Sequence, residues 1–315
     1  MEYSGLIQKY KINRPLTDEE RELQLKQKQT LDVEPHYAFS VIKINNTYME
    51  LADKYYGWRG FLTLGLLVCL SATLFMLYIA LMVLFVDSSR EIGDKQSEAV
   101  MAGLFMLAMT LPLLALIIWA LRKEAFHLTH FPIRLNHKTR TVHLFRPDRS
   151  GTILSVPWDE VFFTLGRGQV LGHWDIRGHV LDADKVTVKE SFALGMPWDD
   201  KEVLLRNWEF MRRYMEHGPQ KLIDLIPLYW PIATHKEPWI VGLQRLLLNF
   251  PGSFGAHTYM LPFFILFSFG RVLANRTSRI PQWPAEIDAT CPIEPGDPFE
   301  RDERNNKVNR IGWLV

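Results

Sequence analysis

Two long stretches of the chain carry no formal charge. Residues 60–86 read GFLTLGLLVCLSATLFMLYIALMVLFV and residues 100–121 read VMAGLFMLAMTLPLLALIIWAL. In both, apolar side chains occupy every face of a helix, whereas a surface helix of a soluble domain shows one apolar stripe. About 20 apolar residues are needed to cross roughly 30 Å of hydrocarbon, so each stretch predicts a transmembrane helix. Tyr55, Tyr56 and Trp58 at the start of the first and Trp119 at the end of the second stand where amphipathic aromatics settle at headgroup depth. Pro112 predicts a kink that a neighbouring helix tolerates. Between the two lie residues 87–99, DSSREIGDKQSEA, too short to fold as a domain.

Beyond Leu121 the period drops from that of a helix to two. In FPIRLNHKTRTVHLFRPDRSG, Ile133 and Leu135 share one face, residues 136–140 form a polar turn, and Val142 and Leu144 return, which predicts a β-hairpin. Leu154, Val156 and Trp158 alternate next, then Val161, Phe163 and Leu165. Trp174 with Ile176 and Val186 with Val188 mark a further pair of strands joined through residues 182–184. Then comes PWDDKEVLLRNWEFMRRYMEHGP, with Asp199 as N-cap, Glu202 three residues on, a stripe of Leu204, Trp208, Met211 and Met215, and a Gly218-Pro219 stop. The expected fold is an α+β membrane protein. A two-helix transmembrane hairpin accompanies an antiparallel β module, pleckstrin-homology-like by analogy of order, closed by that helix.

The flanks are less regular. Residues 1–58 predict a cytoplasmic arm with one helix across LTDEERELQLKQKQTL, where Thr17 and Glu20 have capping-box spacing. The expected organisation continues with the hairpin at 59–121, the β module at 122–218 and a helical or extended region at 219–315, partly membrane-associated. Residues 246–270 carry no formal charge, yet Asn249, Pro251, Gly252, Ser253, Gly255 and His257 interrupt the first half, and a crossing would carry Arg271, Arg276 and Arg279 outward. A buried, interfacial or re-entrant segment is expected there instead of a third span. The Pro-rich, charged end from Arg276 is expected to be extended, wrapping a surface or partly disordered.

Charge placement sets the orientation. Lys43, Lys54 and Arg59 precede the first span and Arg122, Lys123, Arg134, Lys138 and Arg140 follow the second, whereas the loop sets Arg90 and Lys95 against Asp87, Glu91, Asp94 and Glu98. The positive-inside bias puts both termini in the cytoplasm of a multi-pass protein of the bacterial inner membrane, and no secretory signal opens the chain. A net charge of +1 gives no reason to expect nucleic acid. Cys69 and Cys291 are too far apart in sequence to suggest a metal site or redox pair.

Candidate chemistry is sparse. His127 and His130, with His137 and His143 nearby, have metal-ligand spacing but read better as interfacial or strand histidines. Gly166, Gly168 and Gly172 miss the dinucleotide pattern, and neither Asp159 with Glu160 nor Asp199 with Asp200 makes an acid/base pair. No cofactor and no enzymatic activity are expected. The interaction candidates are Arg134, Arg146, Asp148, Trp158 and Asp159 in the β module and the small residues Gly65, Ala72, Gly103 and Ala108 in the spans, the latter suited to close helix approach and to homo-oligomers.

Phe131-Pro132-Ile133-Arg134, the run from His143 to Asp148, and Val156-Pro157-Trp158-Asp159-Glu160 resemble the signature of proteobacterial two-span inner-membrane proteins with a cytoplasmic domain of unknown function. The resemblance runs from about the first span to Gly218 and supplies no catalytic residue. It implies a place near type VI secretion and toxin genes, hence an immunity or accessory protein that binds a cognate toxin. The alternative is a membrane-anchored lipid-binding or envelope scaffold protein.

Overall fold

A computed structural model describes residues 5–6, 9–146, 152–168, 172–249 and 254–306, the last stretch with side chains from residue 258 onward. The chain divides into two compact units: Met1–Trp58, Leu128–Tyr259 and Arg279–Val315 make the first, and Arg59–His127 with Met260–Ser278 the second.

The first unit carries two five-stranded antiparallel sheets. Its N-terminal stretch contributes β1 (Arg14–Pro15), the one-turn helix α1 (Asp18–Glu22) and β2 (Gln24–Leu25). Sheet one is a meander of β3 (Val41–Ile44), β4 (Tyr48–Leu51), β5 (Ile133–Asn136), β6 (Thr141–Phe145) and β7 (Ile153–Pro157). Sheet two runs β1, β10 (Thr187–Trp198), β9 (Trp174–Leu181), β8 (Val161–Arg167), β2. The predicted hairpin is present, with Ile133 opposite Leu144 and Leu135 opposite Val142. Between β7 and β8 only Trp158–Glu160 intervene, so the chain changes sheet at Trp158. That indole is buried, stacked on Trp208 at 5.3 Å and tilted against Phe163 at 4.6 Å. Trp208 comes from α5 (Lys201–His217), whose Leu204, Met211, Tyr214 and Met215 also enter the core shared by both sheets.

Three expectations shift. The β module does not start after the apolar stretches: β3 and β4 lie in the arm and pair with β5, so the apolar helical hairpin is an insertion between neighbouring strands. The arm helix ends at Glu22 although its capping box is formed. The Leu23 carbonyl accepts from Leu165 N–H at 3.2 Å and Gln27 Nε2 reaches the carbonyls of Trp158 and Val161, so pairing with the β8 edge overrides local helix propensity. The cap of α5 is Asp200, one residue later than expected, accepting from Glu202 N–H at 2.8 Å.

The C-terminal part of the chain also contributes to this unit, through residues 219–249 and 279–306. It includes α6 (Trp239–Leu247) and α8 (Ala285–Thr290), and Arg301 bridges Ile44 while Asn306 exchanges hydrogen bonds with the backbone of Tyr229.

The second unit is helical. α2 (Phe61–Met82) continues through a π turn, Val83–Asp87, into α3 (Ser88–Arg90), and α4 (Asp94–Glu124) returns. The connection is shorter than the expected polar loop, because Asp94 to Glu98 already form the first turns of α4. Gly103 lets α4 approach Leu84, where an added Cβ would sit 2.8 Å from that side chain. Ile117, Leu121 and Ala125 pack with Leu66, Leu67 and Leu70. α7 (Phe254–Thr277) completes the described helices of the chain. Among the described residues three helices are long and apolar enough to span a membrane: Phe61–Arg90, Asp94–Glu124 and Thr258–Thr277.

Candidate functional site

A cavity in the first unit opens where β5 to β7 diverge from β10, under the N-terminal stretch, and has a volume of about 210 Å³. Its apolar wall is Phe131, Ile133, Leu144, Phe145, Leu154 and Phe192. These come from alternate strand positions and from Phe145, which also packs on Trp283 at 4.7 Å. Its polar side is made by Lys9, Tyr10, Asp53, Lys54, Tyr55, Arg146 and Glu190, three cations against two carboxylates.

Most of these charges have a structural partner. Asp53 accepts from the backbone N–H groups of Tyr55, Tyr56 and Phe131 at 2.7, 3.1 and 2.7 Å, fastening the chain before the helical insertion to the chain after it. Lys54 is buried and donates to Asp175 at 2.8 Å and to the Tyr10 hydroxyl at 2.9 Å. Burial opposes the charge on Asp175, but Lys54 and Arg177 outweigh it and hold the carboxyl below its ordinary range. Burial pushes the Tyr55 hydroxyl well above the tyrosine range, so it is present as neutral phenol. Arg146 pairs with Glu190 at 3.0 Å, each about one-third exposed, at the rim. The result is an amphipathic hollow: an aromatic and aliphatic floor, a neutral phenol, and a part-exposed arginine–glutamate pair at the entrance.

Of the sequence candidates among the described residues, only Arg146 lines this hollow. Arg134 is buried, bonded to Glu50 at 2.7 Å and Asp288 at 2.6 Å and sandwiched between Tyr48 and Trp283, each 4.5 Å from the guanidinium; it braces β4, β5 and α8. Trp158 is a core residue with no exposed surface, so it is unavailable to a partner. Asp159 lies on the surface in a fork with Arg140 at 2.5 and 2.7 Å, and that guanidinium keeps its carboxyl below the usual range. Asp148 lies outside the described residues. In the helical unit Gly103 is spent within the hairpin, whereas Gly65, Ala72 and Ala108 are exposed and nothing approaches the position of a Cβ on Gly65. The remaining members, Tyr10, Asp53, Lys54, Tyr55 and Glu190, were not singled out as site residues. The available signal is the Asp53-Lys54 pair directly ahead of an uncharged stretch, of which only Lys54 enters the charge pattern that sets the expected orientation.

The histidines are dispersed. His143 bonds the Ser155 hydroxyl at 2.8 Å, and burial together with Arg134 lowers its pKa to about 4; His137 faces the Met215 carbonyl at 3.0 Å. Among the described residues no group of three His, Cys, Asp or Glu side chains has metal-holding geometry.

Residues 110–295 match a family of unknown function (DUF6708). The match takes in the three motifs noted in the sequence and extends past Gly218 into the C-terminal part, so it covers most of the β module and α7 together. No curated protein and no solved structure matches the chain.

Proposed function

We propose that this chain, which belongs to the DUF6708 family, is a membrane-anchored binding protein whose β module holds a small amphipathic anion. The observation that carries this reading is the cavity: an apolar floor beside an arginine whose glutamate partner a ligand carboxylate or phosphate can replace. Ligand sites of this kind are mainly apolar with a few placed polar groups, and the volume suits a ligand of about ten heavy atoms. The module is pleckstrin-homology-like in order, strands of two meanders followed by one closing helix, which supports a recognition role by analogy only. On this reading α2 and α4 cross the inner membrane as a hairpin, and the excess of basic residues around its foot supports a cytoplasmic β module.

Equilibrium dialysis of labelled octanoate tests the reading, with the full-length protein in lipid nanodiscs and empty nanodiscs as the blank. Saturable binding is expected, weakened at least tenfold by Arg146→Gln and abolished by Leu154→Trp, which fills the hollow from a half-buried position. Equal uptake by all three proteins would sink the proposal.

A second reading, an immunity protein that blocks a toxin in the bilayer, draws support from the open approach at Gly65, with Ala72 exposed two turns further along α2. Gly60 is not part of that surface, since α7 already occupies the space a side chain there would need. Protection of toxin-expressing cells that is lost in a Gly65→Leu, Ala72→Leu variant would favour it; unchanged protection would remove the bilayer route.

A further inference from the structure

By length and composition Thr258–Thr277 is a third candidate span. The hydrogen bonds of the first unit bear on whether it crosses. Across the α2–α4 insertion, Tyr48 pairs with Asn136 and Leu51 with Ile133. Ahead of α7, Asn249 Nδ2 donates to the Gly57 carbonyl at 2.6 Å. After α7, Thr129 N–H donates to the Arg279 carbonyl at 2.7 Å, and Arg301 pairs with Ile44. A sheet so bonded lies wholly on one side of a bilayer, since no hydrogen bond reaches across about 30 Å of hydrocarbon. Every excursion of the chain from that unit must therefore cross the membrane an even number of times. The hairpin does so with two helices. The described residues of the excursion between Asn249 and Arg279 contain one, α7.

Chain length sets the inclination. Asn249 is tied to Gly57, four residues before Phe61 where α2 begins, and Arg279 to Thr129, five residues beyond Glu124 where α4 ends, so both ends of the excursion lie at the hairpin foot. Five virtual bonds from Asn249 to Phe254 extend at most about 18 Å. The 24 residues of α7 are about 36 Å long. The first turn thus lies no deeper than about 18 Å, which inclines the helix at least about 60° from the membrane normal.

The side chains fit an apolar surrounding. Tyr259 is 86% exposed, and Leu261, Phe263, Leu266 and Phe269 are exposed too. Phe264, Ser268, Arg271, Ala274 and Asn275 form the buried row. Within the helical unit Gly270 lies against the Gly60 carbonyl, Phe267 against Phe61 at 4.2 Å, and Arg59 reaches the Ala274 carbonyl and the Ser278 hydroxyl. The contacted residues of the hairpin are those of its foot, which holds the C-terminal turns of α7 at headgroup depth. We propose that α7 is a non-crossing helix immersed in the leaflet on the side of the β module, with the acyl chains of that leaflet as the partner of its exposed face.

Nitroxides attached singly at positions 259, 263, 266 and 269, all exposed, test this by power saturation with oxygen and a water-soluble nickel chelate in phosphatidylethanolamine–phosphatidylglycerol vesicles. The expected result is oxygen access and chelate exclusion at 263, 266 and 269, with no site past the midplane. Chelate access at those three positions, meaning a helix in water, would overturn the proposal. So would a profile that passes the midplane and regains chelate access at 259. As an independent readout, single cysteines at Lys28 and Glu286, both exposed, should label from the same side of the membrane; labelling from opposite sides would mean that α7 crosses.

Discussion

Lys54 and Asp175 are each about 1% exposed and 2.8 Å apart. Removing both charges from water is costly, and what keeps the pair in place is the completeness of its bonding: Arg177 holds the second oxygen of Asp175 at 2.7 Å and Tyr10 accepts from the ammonium. Asp175→Asn, which leaves the ammonium buried without its counter-charge, should cost about 3–5 kcal/mol, whereas Lys54→Met combined with Asp175→Leu should cost clearly less. Chemical unfolding in detergent decides this, and a double variant as unstable as the single one would contradict it. His143 gives the fold a pH dependence. Its pKa near 4 lies below the 6.5 of an unfolded histidine because burial, then Arg134, disfavour the imidazolium. The unfolded chain therefore binds more protons between those values, so stability is full above pH 6.5 and declines as pH falls toward 4, by up to about 3 kcal/mol. His143→Gln should flatten the melting temperature over that range; an unchanged slope would assign the effect to other groups.

At the scale of elements, the helical unit shows ends that cap one another. α2 starts at Gly60, whose φ of 96° and lack of a side chain leave the first amides without a local cap. Glu124, the last residue of α4, supplies one: its carboxylate accepts from Gly60 N–H at 2.8 Å and from Thr63 N–H and hydroxyl at 2.6 Å. Arg59 returns the service at the negative ends of two helices, donating to the carbonyls of Glu124 and Ala274. Glu124→Ala orphans these donors in a buried place and should lower stability by about 2 kcal/mol, against less than about 0.5 for the exposed Glu98→Ala. Equal losses would remove the capping account. In the β module, Trp208→Ala empties the contact with Trp158 and Phe163 and should cost about 3–5 kcal/mol in chemical unfolding. A loss below about 1 kcal/mol would deny α5 its place in the core.

Legibility also differs by element. The β5–β6 hairpin was readable because period two, a polar turn and a buried face all agree. β3 and β4 had the same marks, with Asn45 accepting from the amides of Thr47 and Tyr48 in the turn, but they stand just before an uncharged stretch and were absorbed into the arm. The helix expected from Thr17 to Leu31 was not readable as a single turn, since what ends it is the β8 edge, 140 residues away in the chain. The cavity was legible only through Arg146, because Tyr10, Lys54, Phe131 and Phe192 converge through pairings of distant strands that no local spacing encodes.

For the whole molecule, the interleaving of the two units matters most. With α2 and α4 read as a membrane-crossing hairpin, a sheet entered before it and completed after it, then bonded to residues 279–306, has to lie wholly on one side of the bilayer. Single cysteines in a variant lacking Cys69 and Cys291 should therefore label at Glu91 to Lys95 from the periplasmic face of spheroplasts, and at exposed positions such as Lys28, Lys201 and Glu286 only after lysis. Labelling of Lys28 in intact spheroplasts would reverse the orientation. The binding account itself faces its most direct test in what the protein carries. Native mass spectrometry of the full-length chain, purified without added ligand and released from detergent in the gas phase, should show a bound small amphipathic anion that the Leu154→Trp variant has lost. Identical unliganded spectra for wild type and variant at every detergent strength, with no octanoate uptake by either, would contradict it.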